Sequence, residues 1–299
     1  MHKTHNLSRR SLRSQDSTRY LLVLPWIIHI IAFVIFPLVF AIYLVFNDWN
    51  VVQGTFSPIG LKNLKRLFGD ANLGKAIVNT LLLTIVNVTL VTGLALGMAL
   101  LLNAKLRGTA FFRTIYFLPI ITSTVVVALV WRYLLAADLG FVNYVLSLYG
   151  IEGPMWLLDP KFSLSSVIAM LIWLGTPFTI LIFLAGLQAI PRELYEAAVI
   201  DGAGAWNSFQ HVTIPLLNPT LVLVVLLATI SSLQVFTEAL VLTQGGPAGS
   251  STTIAVYMYE QGIVSRRYGY ASLIGLSLAI GLFVLVMVQR RVLERRIDY

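Results

Sequence analysis

The chain has 299 residues, 58% hydrophobic and only 11% charged, whereas a soluble domain carries roughly one quarter charged residues. Too little polar material is present to coat a water-exposed surface, and the absence of cysteine excludes a disulfide framework and thiolate metal sites. The net charge of +8 is therefore read from where the basic residues fall relative to a bilayer, not as a nucleic-acid signal.

A hydrocarbon core about 30 Å thick requires about 20 apolar residues in a helix. Stretches without Asp, Glu, Lys or Arg predict six such helices in an all-α polytopic fold, since open sheets leave backbone unpaired in lipid. A basic tail, residues 1–19, carries Lys3, Arg9, Arg10, Arg13 and Arg19 and precedes the first span, 20–47. That span exceeds the about 7–15 residues of a cleavable signal core, and no small-residue cleavage site closes it, so it is read as retained. Gly69–Lys75 nearly matches a phosphate-binding loop, but Ala76 stands where a Ser or Thr must hold Mg²⁺. The chain is not expected to hydrolyse ATP.

The second predicted span, 76–104, contains Gly93 and Gly97, a pair suited to close helix packing. The third runs over 114–131, with Arg132 able to reach the interface beside Trp131 and Tyr133. The fourth covers 162–191. The fifth is predicted from Leu216 to Thr243, because the polar run before it contains His211 and Pro215. The sixth covers 268–289, giving a membrane domain of 20–290 and a basic tail of 291–299.

With the N-terminus inside, Lys105, Arg107, Arg113, Arg192, Arg290, Arg291, Arg295 and Arg296 join the leader on the inner side, thirteen basic residues against seven outside. The bias predicts both termini in the cytoplasm, anchored to an anionic leaflet, and no nucleic-acid partner. The histidines at 2, 5, 29 and 211 lack metal-ligand spacing, and no nucleophile–base arrangement stands out. No catalytic residue and no metal ligand is assigned.

The segment between spans four and five is the most informative. Pro191 suits a first helical turn, Glu193 and Glu196 complement the positive dipole end, and Gly202 and Gly204 can stop the helix. Ala197 and Ala198 keep one face thin. A helix lying on the membrane surface would place Lys or Arg on its polar face, whereas Arg192 stands alone against Glu193, Glu196 and Asp201.

Glu196-Ala197-Ala198, three residues, Gly202, nine residues and Val212-Thr213-Ile214-Pro215 closely resemble the signature loop of binding-protein-dependent ATP-driven (ABC) importer permeases. Ile59–Asn63 with Asn79-Thr80 resembles the family's lead-in to span two, and Gly108–Pro119, Val130–Leu134 and Thr243–Pro247 are similar to the first of the two membrane subunits in sugar importers of the maltose, lactose and glycerol-phosphate kind. The resemblance implies a type I importer fold in a bacterial cytoplasmic membrane, with Glu196, Ala197, Ala198, Asp201 and Gly202, in the loop 191–216, docking a dimeric ATP-binding subunit. It further implies a second permease subunit and an extracytoplasmic sugar-binding protein, the latter meeting the segment Gln244–Arg267, with ATP and Mg²⁺ held by the partner and no cofactor on this chain. Aligned through the same loop, Trp173, Gly175, Phe178, Ser231, Ser232 and Val235 fall where maltose-type importers resemble a sugar-lined cavity, and Ser231 and Ser232 replace an aromatic and an amide there. Gln234 and Glu238 are polar neighbours in the same span. A charge such as Glu238 costs about 2.5–3.5 kcal/mol at mid-span on insertion scales. It lies about 7–8 Å from the predicted span end, which leaves a wet outer cavity, a second subunit or substrate as its partner.

The expected function is permeation of a carbohydrate, an oligosaccharide, by alternating access. A glycerol-phosphate or polyol permease is the alternative within the class, though spans four and five offer no cation for a phosphate. An ion-coupled secondary transporter would require an internal repeat and buried mid-span acids, and only Glu238 resembles one.

Overall fold

The computed structural model describes residues 22–51, 53–103, 116 and 118–293. The leader, the Lys105–Arg113 connection, the start of the third predicted span and Arg295 and Arg296 lie outside the described residues. The chain divides into two compact units, 22–68 with Gln261–Leu276, and Gly69–Glu260 with 277–293.

The first unit begins with α1, Leu22–Val45, which leaves nearly all its apolar side chains on the surface. Pro37 cannot donate to the preceding turn, and the helix absorbs this by widening into a π-turn at Ile31–Ile35. A hairpin follows, β1 (Asn47–Asn50) against β2 (Thr55–Pro58), with Trp49 opposite Phe56. Among the described residues this pair is the one departure from the all-helical expectation. Trp49 and Phe56 stack at 5.5 Å, and Phe40, Tyr43 and Tyr268 close a cluster around them. Rings of this kind suit a membrane–water interface. Helix α2, Lys62–Gly69, sends Asn63 Nδ2 to the Val45 carbonyl at 2.9 Å and sets the Arg66 guanidinium 4.4 Å from the Tyr270 ring centre. Gly269 is required here, because a Cβ would lie 2.4 Å from the Leu44 oxygen.

The second unit is organised around α3, Ala71–Asn103, about 50 Å long at 1.5 Å per residue. Asp70 caps its start, accepting from the Leu73 amide at 3.2 Å. Its buried residues recur at three- and four-residue intervals, from Ala76 through Leu83, Asn87, Val91 and Ala95 to Leu102. After Leu118–Ile121, a 3₁₀ turn, come α4 (Thr124–Leu134), α5 (Phe141–Leu148) and α6 (Ser163–Gln188). Then come α7 (Arg192–Ile200), α8 (Ala205–Leu233), α9 (Thr237–Thr243) and α10 (Ile254–Tyr259), and α11 (Tyr268–Leu293) runs through both units.

Five helices among the described residues are long and apolar enough to cross a membrane, α1, α3, α6, α8 and α11, and α4 is a shorter apolar helix. The six-span expectation differs at two places. The third span is interrupted at Thr122 and Ser123 between the 3₁₀ turn and α4. The fifth begins earlier than Leu216, because a π-turn at Phe209–Thr213 accommodates Pro215 as its counterpart does Pro37, and it breaks at 234–236.

Two apolar clusters hold this unit. One gathers Leu83, Val167, Met170, Leu171, Ala239 and Leu242, and the other Ala95, Ala99, Ile180, Phe183, Leu217 and Val224. Along α3 and α8 the interval between them carries the polar residues described next, and along α6 it carries Gly175 and Phe178.

Candidate functional site

Two features stand out, the exposed helix α7 and a cavity at the break between α8 and α9. Helix α7 is terminated by its own backbone. The Ala203 amide donates to the Ala198 carbonyl at 2.8 Å and the Gly202 amide to the Val199 carbonyl at 3.0 Å. Gly202 takes a left-handed φ of +80°, which completes a Schellman stop. Among the described residues one side-chain hydrogen bond ties the helix to α8, Tyr195 Oη to Thr213 Oγ1 at 3.0 Å. Tyr195 and Ala198 face inward, while Glu193, Glu196, Ala197, Val199 and Ile200 are exposed, as are Asp201 and Gly202 beyond the helix. Ala197 and Ala198 therefore lie on different faces. Ile200 is 85% and Trp206 65% exposed, so the acidic face continues into an apolar one.

The cavity, of about 300 Å³, opens where the two apolar clusters part. From α6 it takes Gly175 and Phe178, and from the end of α8 and the break it takes Ser231, Ser232 and Val235. Glu238, in the first turn of α9, completes that wall. The break is possible in a span because its freed carbonyl is satisfied: Thr253 Oγ1 donates to the Val235 oxygen at 2.7 Å and accepts from the Val256 amide at 3.2 Å. The expected pathway residues do not all meet. Gln234 is exposed and caps the end of α8, and is not among the residues lining the cavity. Trp173 lines an adjoining cavity of about 620 Å³, with Leu94, Tyr116, Trp131 and Pro177, its ring 6.3 Å from that of Trp131.

Three polar contributors escaped the sequence reading, Asn87 from α3 and Thr122 and Thr124 near the start of α4, and with them the apolar Pro119, Ile120, Leu171 and Leu174. Asn87 had a signal: Asn79, Thr80, Thr84 and Asn87 place polar groups on the buried face of an apolar helix, which is costly in lipid unless those groups are used. The first of them anchor the loop after α9. Asn79 Nδ2 donates to the carbonyls of Gly249 and Thr252 at 3.0 and 3.1 Å, and the Ile254 amide donates to Thr80 Oγ1 at 2.9 Å. In the same loop, Ser163 and Ser250 hydroxyls meet at 2.6 Å, and Lys75 Nζ donates to the Ala248 carbonyl at 2.6 Å. Beyond α10, outside the spans, burial pushes the Glu260 carboxyl above the ordinary carboxylate value. No group of three or more His, Asp or Glu that could hold a metal ion is found among the described residues.

The family profile of the binding-protein-dependent transport system inner membrane component matches residues 90–299. The trehalose/maltose transport system permease protein MalF of Thermococcus litoralis is 33% identical over 287 residues, covering 95% of this chain and 94% of that protein. The lactose transport system permease protein LacF of Rhizobium radiobacter is 36% identical over 259 residues, 85% and 86% of the two chains. Among solved structures, a bacterial alginate ABC transporter in complex with an alginate pentasaccharide-bound periplasmic protein matches with a TM-score of 0.82 at 26% identity, covering 95% of this chain and 98% of that one.

Proposed function

The chain belongs to the family of binding-protein-dependent transport system inner membrane components, and from that premise we propose that it forms half of the pathway of an ATP-driven carbohydrate importer. It is a multi-pass membrane permease. We assign it to the cytoplasmic membrane with both termini inside, paired with a second, non-identical permease subunit. A dimeric ATP-binding subunit engages α7 from the inner side, and a sugar-binding protein delivers solute to the outer side around Gln244–Arg267.

The observation that carries this reading is the build of α7. A nine-residue helix stopped by its own backbone, tied by one side-chain bond and presenting Glu196, Val199 and Ile200 outward, is shaped to enter a groove. In the proposed cycle, closure of the ATP-binding dimer moves α7, and the Tyr195–Thr213 bond passes that movement to α8. The break after Leu233 and the cavity beside it then open outward, and hydrolysis returns them inward. The identity of the relatives supports a carbohydrate. A phosphate-bearing solute is disfavoured, because no Lys, Arg or His lines the cavity among the described residues.

Uptake of radiolabelled maltose, trehalose and lactose by cells carrying the complete importer tests this. Glu196→Lys reverses the charge offered to the groove, and Gly202→Val forces a β-branched residue into a left-handed conformation. Each should abolish uptake while the protein remains inserted at normal abundance. Undiminished uptake in both variants would sink the docking role.

A further inference from the structure

Asn87 is only 8% exposed and lies on α3, outside the elements that supply the rest of the pathway wall. Its Nδ2 donates to Ser232 Oγ at 2.9 Å. The Ser232 hydroxyl has one proton, and it goes to the Ala228 carbonyl at 2.7 Å. Ser232 can therefore only accept from Asn87, which fixes the amide: the NH₂ points at Ser232 and the oxygen points away. That oxygen, Asn87 Oδ1, is buried and has no hydrogen-bond partner. It belongs to a residue lining the cavity that Glu238 also lines. Buried amide oxygens are rarely left unpaired, and this one becomes reachable for a donor as the wall around Asn87 opens.

We propose that Asn87 is a specificity-determining residue that accepts a hydrogen bond from a hydroxyl of the passing solute, and that with Glu238 it gives the cavity an acceptor wall selecting uncharged, hydroxyl-rich solutes over anions. This rests on the cavity being part of the solute pathway. Carboxylated, sulfonated or phosphorylated sugars bring acceptors to acceptors, and no cation among the described lining residues offsets that. Ser231, Thr122 and Thr124 have hydroxyls that adapt to either role. The Asn87 oxygen only accepts, and Glu238 accepts as a carboxylate.

The absence of native cysteine makes the test direct, because Asn87→Cys introduces the one thiol in the chain. Membranes holding the assembled importer are treated with a cationic methanethiosulfonate (the ethylammonium) or an anionic one (the ethylsulfonate), each rate normalised to free cysteine. The cationic reagent should react about tenfold faster, as a cleft of one charge sign concentrates the opposite ion. Adding Glu238→Gln should bring the ratio toward one. A thiol inert to both reagents, or one that reacts with both equally, overturns the proposal. Whichever of maltose, trehalose and lactose the unmodified importer takes up should slow the labelling, and a sugar that is imported without protecting the thiol also overturns it. Should none of the three be imported, the carbohydrate reading fails on its own, while the charge ratio still decides the acceptor wall.

Discussion

Helix α7 and the cavity wall are built by opposite strategies. The end of α7 is fixed by bonds between residues five or fewer apart, and its outward side chains can change without disturbing a core. The cavity wall is non-local: Asn87 and Ser232 meet across 145 positions, and the Val235 carbonyl is answered by Thr253 from 18 positions away. A surface proposed to meet a partner can be a self-contained unit. A cavity proposed to pass a solute inside a bilayer has to be assembled by packing, because every freed backbone group there needs a partner.

Disturbing the packing between the helices that form the cavity should therefore cost more than disturbing α7. The largest effect is expected at Gly186, where α6 meets α8 so closely that a Cβ would lie 2.5 Å from Thr220 Oγ1 and 2.9 Å from Leu217 Cδ1. Gly186→Leu should destabilise the protein by about 1–3 kcal/mol or more through overpacking. Thermal unfolding in detergent would show it as a clear fall in midpoint, and an unchanged midpoint would mean that these helices separate easily. Thr253→Val comes next. It keeps the shape but removes both the donor to Val235 and the acceptor for Val256, a loss of about 1–3 kcal/mol for buried groups left unpaired. If the break between α8 and α9 depends on Thr253, uptake should fall with stability. Normal uptake would show that the break holds without it.

The same contrast explains what the sequence disclosed. Helix α7 was legible because Pro191, Glu193 and Gly202 stand within its own segment, and the expected stop at Gly202 lies where φ turns positive. The break at Gln234, Val235 and Phe236 was not, since none of these is a proline or glycine and Thr253 arrives only through the fold. Pro215 reads in the sequence as the lead-in to a span, yet a π-turn lets the helix run on through it from Ala205. Trp173 and Phe178 are both expected on one pathway cavity, but five residues on a helix place them about 140° apart, and each lines its own cavity. Gly175 and Phe178, three residues apart, do share one.

The smallest expected effect lies at Glu260, just past α10 and beyond the spans. Its partly buried carboxyl has a raised pKa through desolvation, so the folded chain holds that proton more tightly than the unfolded one. The stability it contributes is full below the ordinary carboxylate value. It is lost as pH rises from there through the raised value, and the loss is constant above it. Glu260→Gln is neutral throughout and removes this dependence. Unfolding midpoints of the two proteins should differ least near about pH 4 and diverge, with the variant the more stable, toward about pH 8. Because the group keeps substantial contact with water, the divergence should be small beside the loss in Gly186→Leu. Parallel curves would mean that Glu260 carries its charge in the fold without penalty, and the rim of the loop after α9 would then be as well solvated as the exposed face of α7.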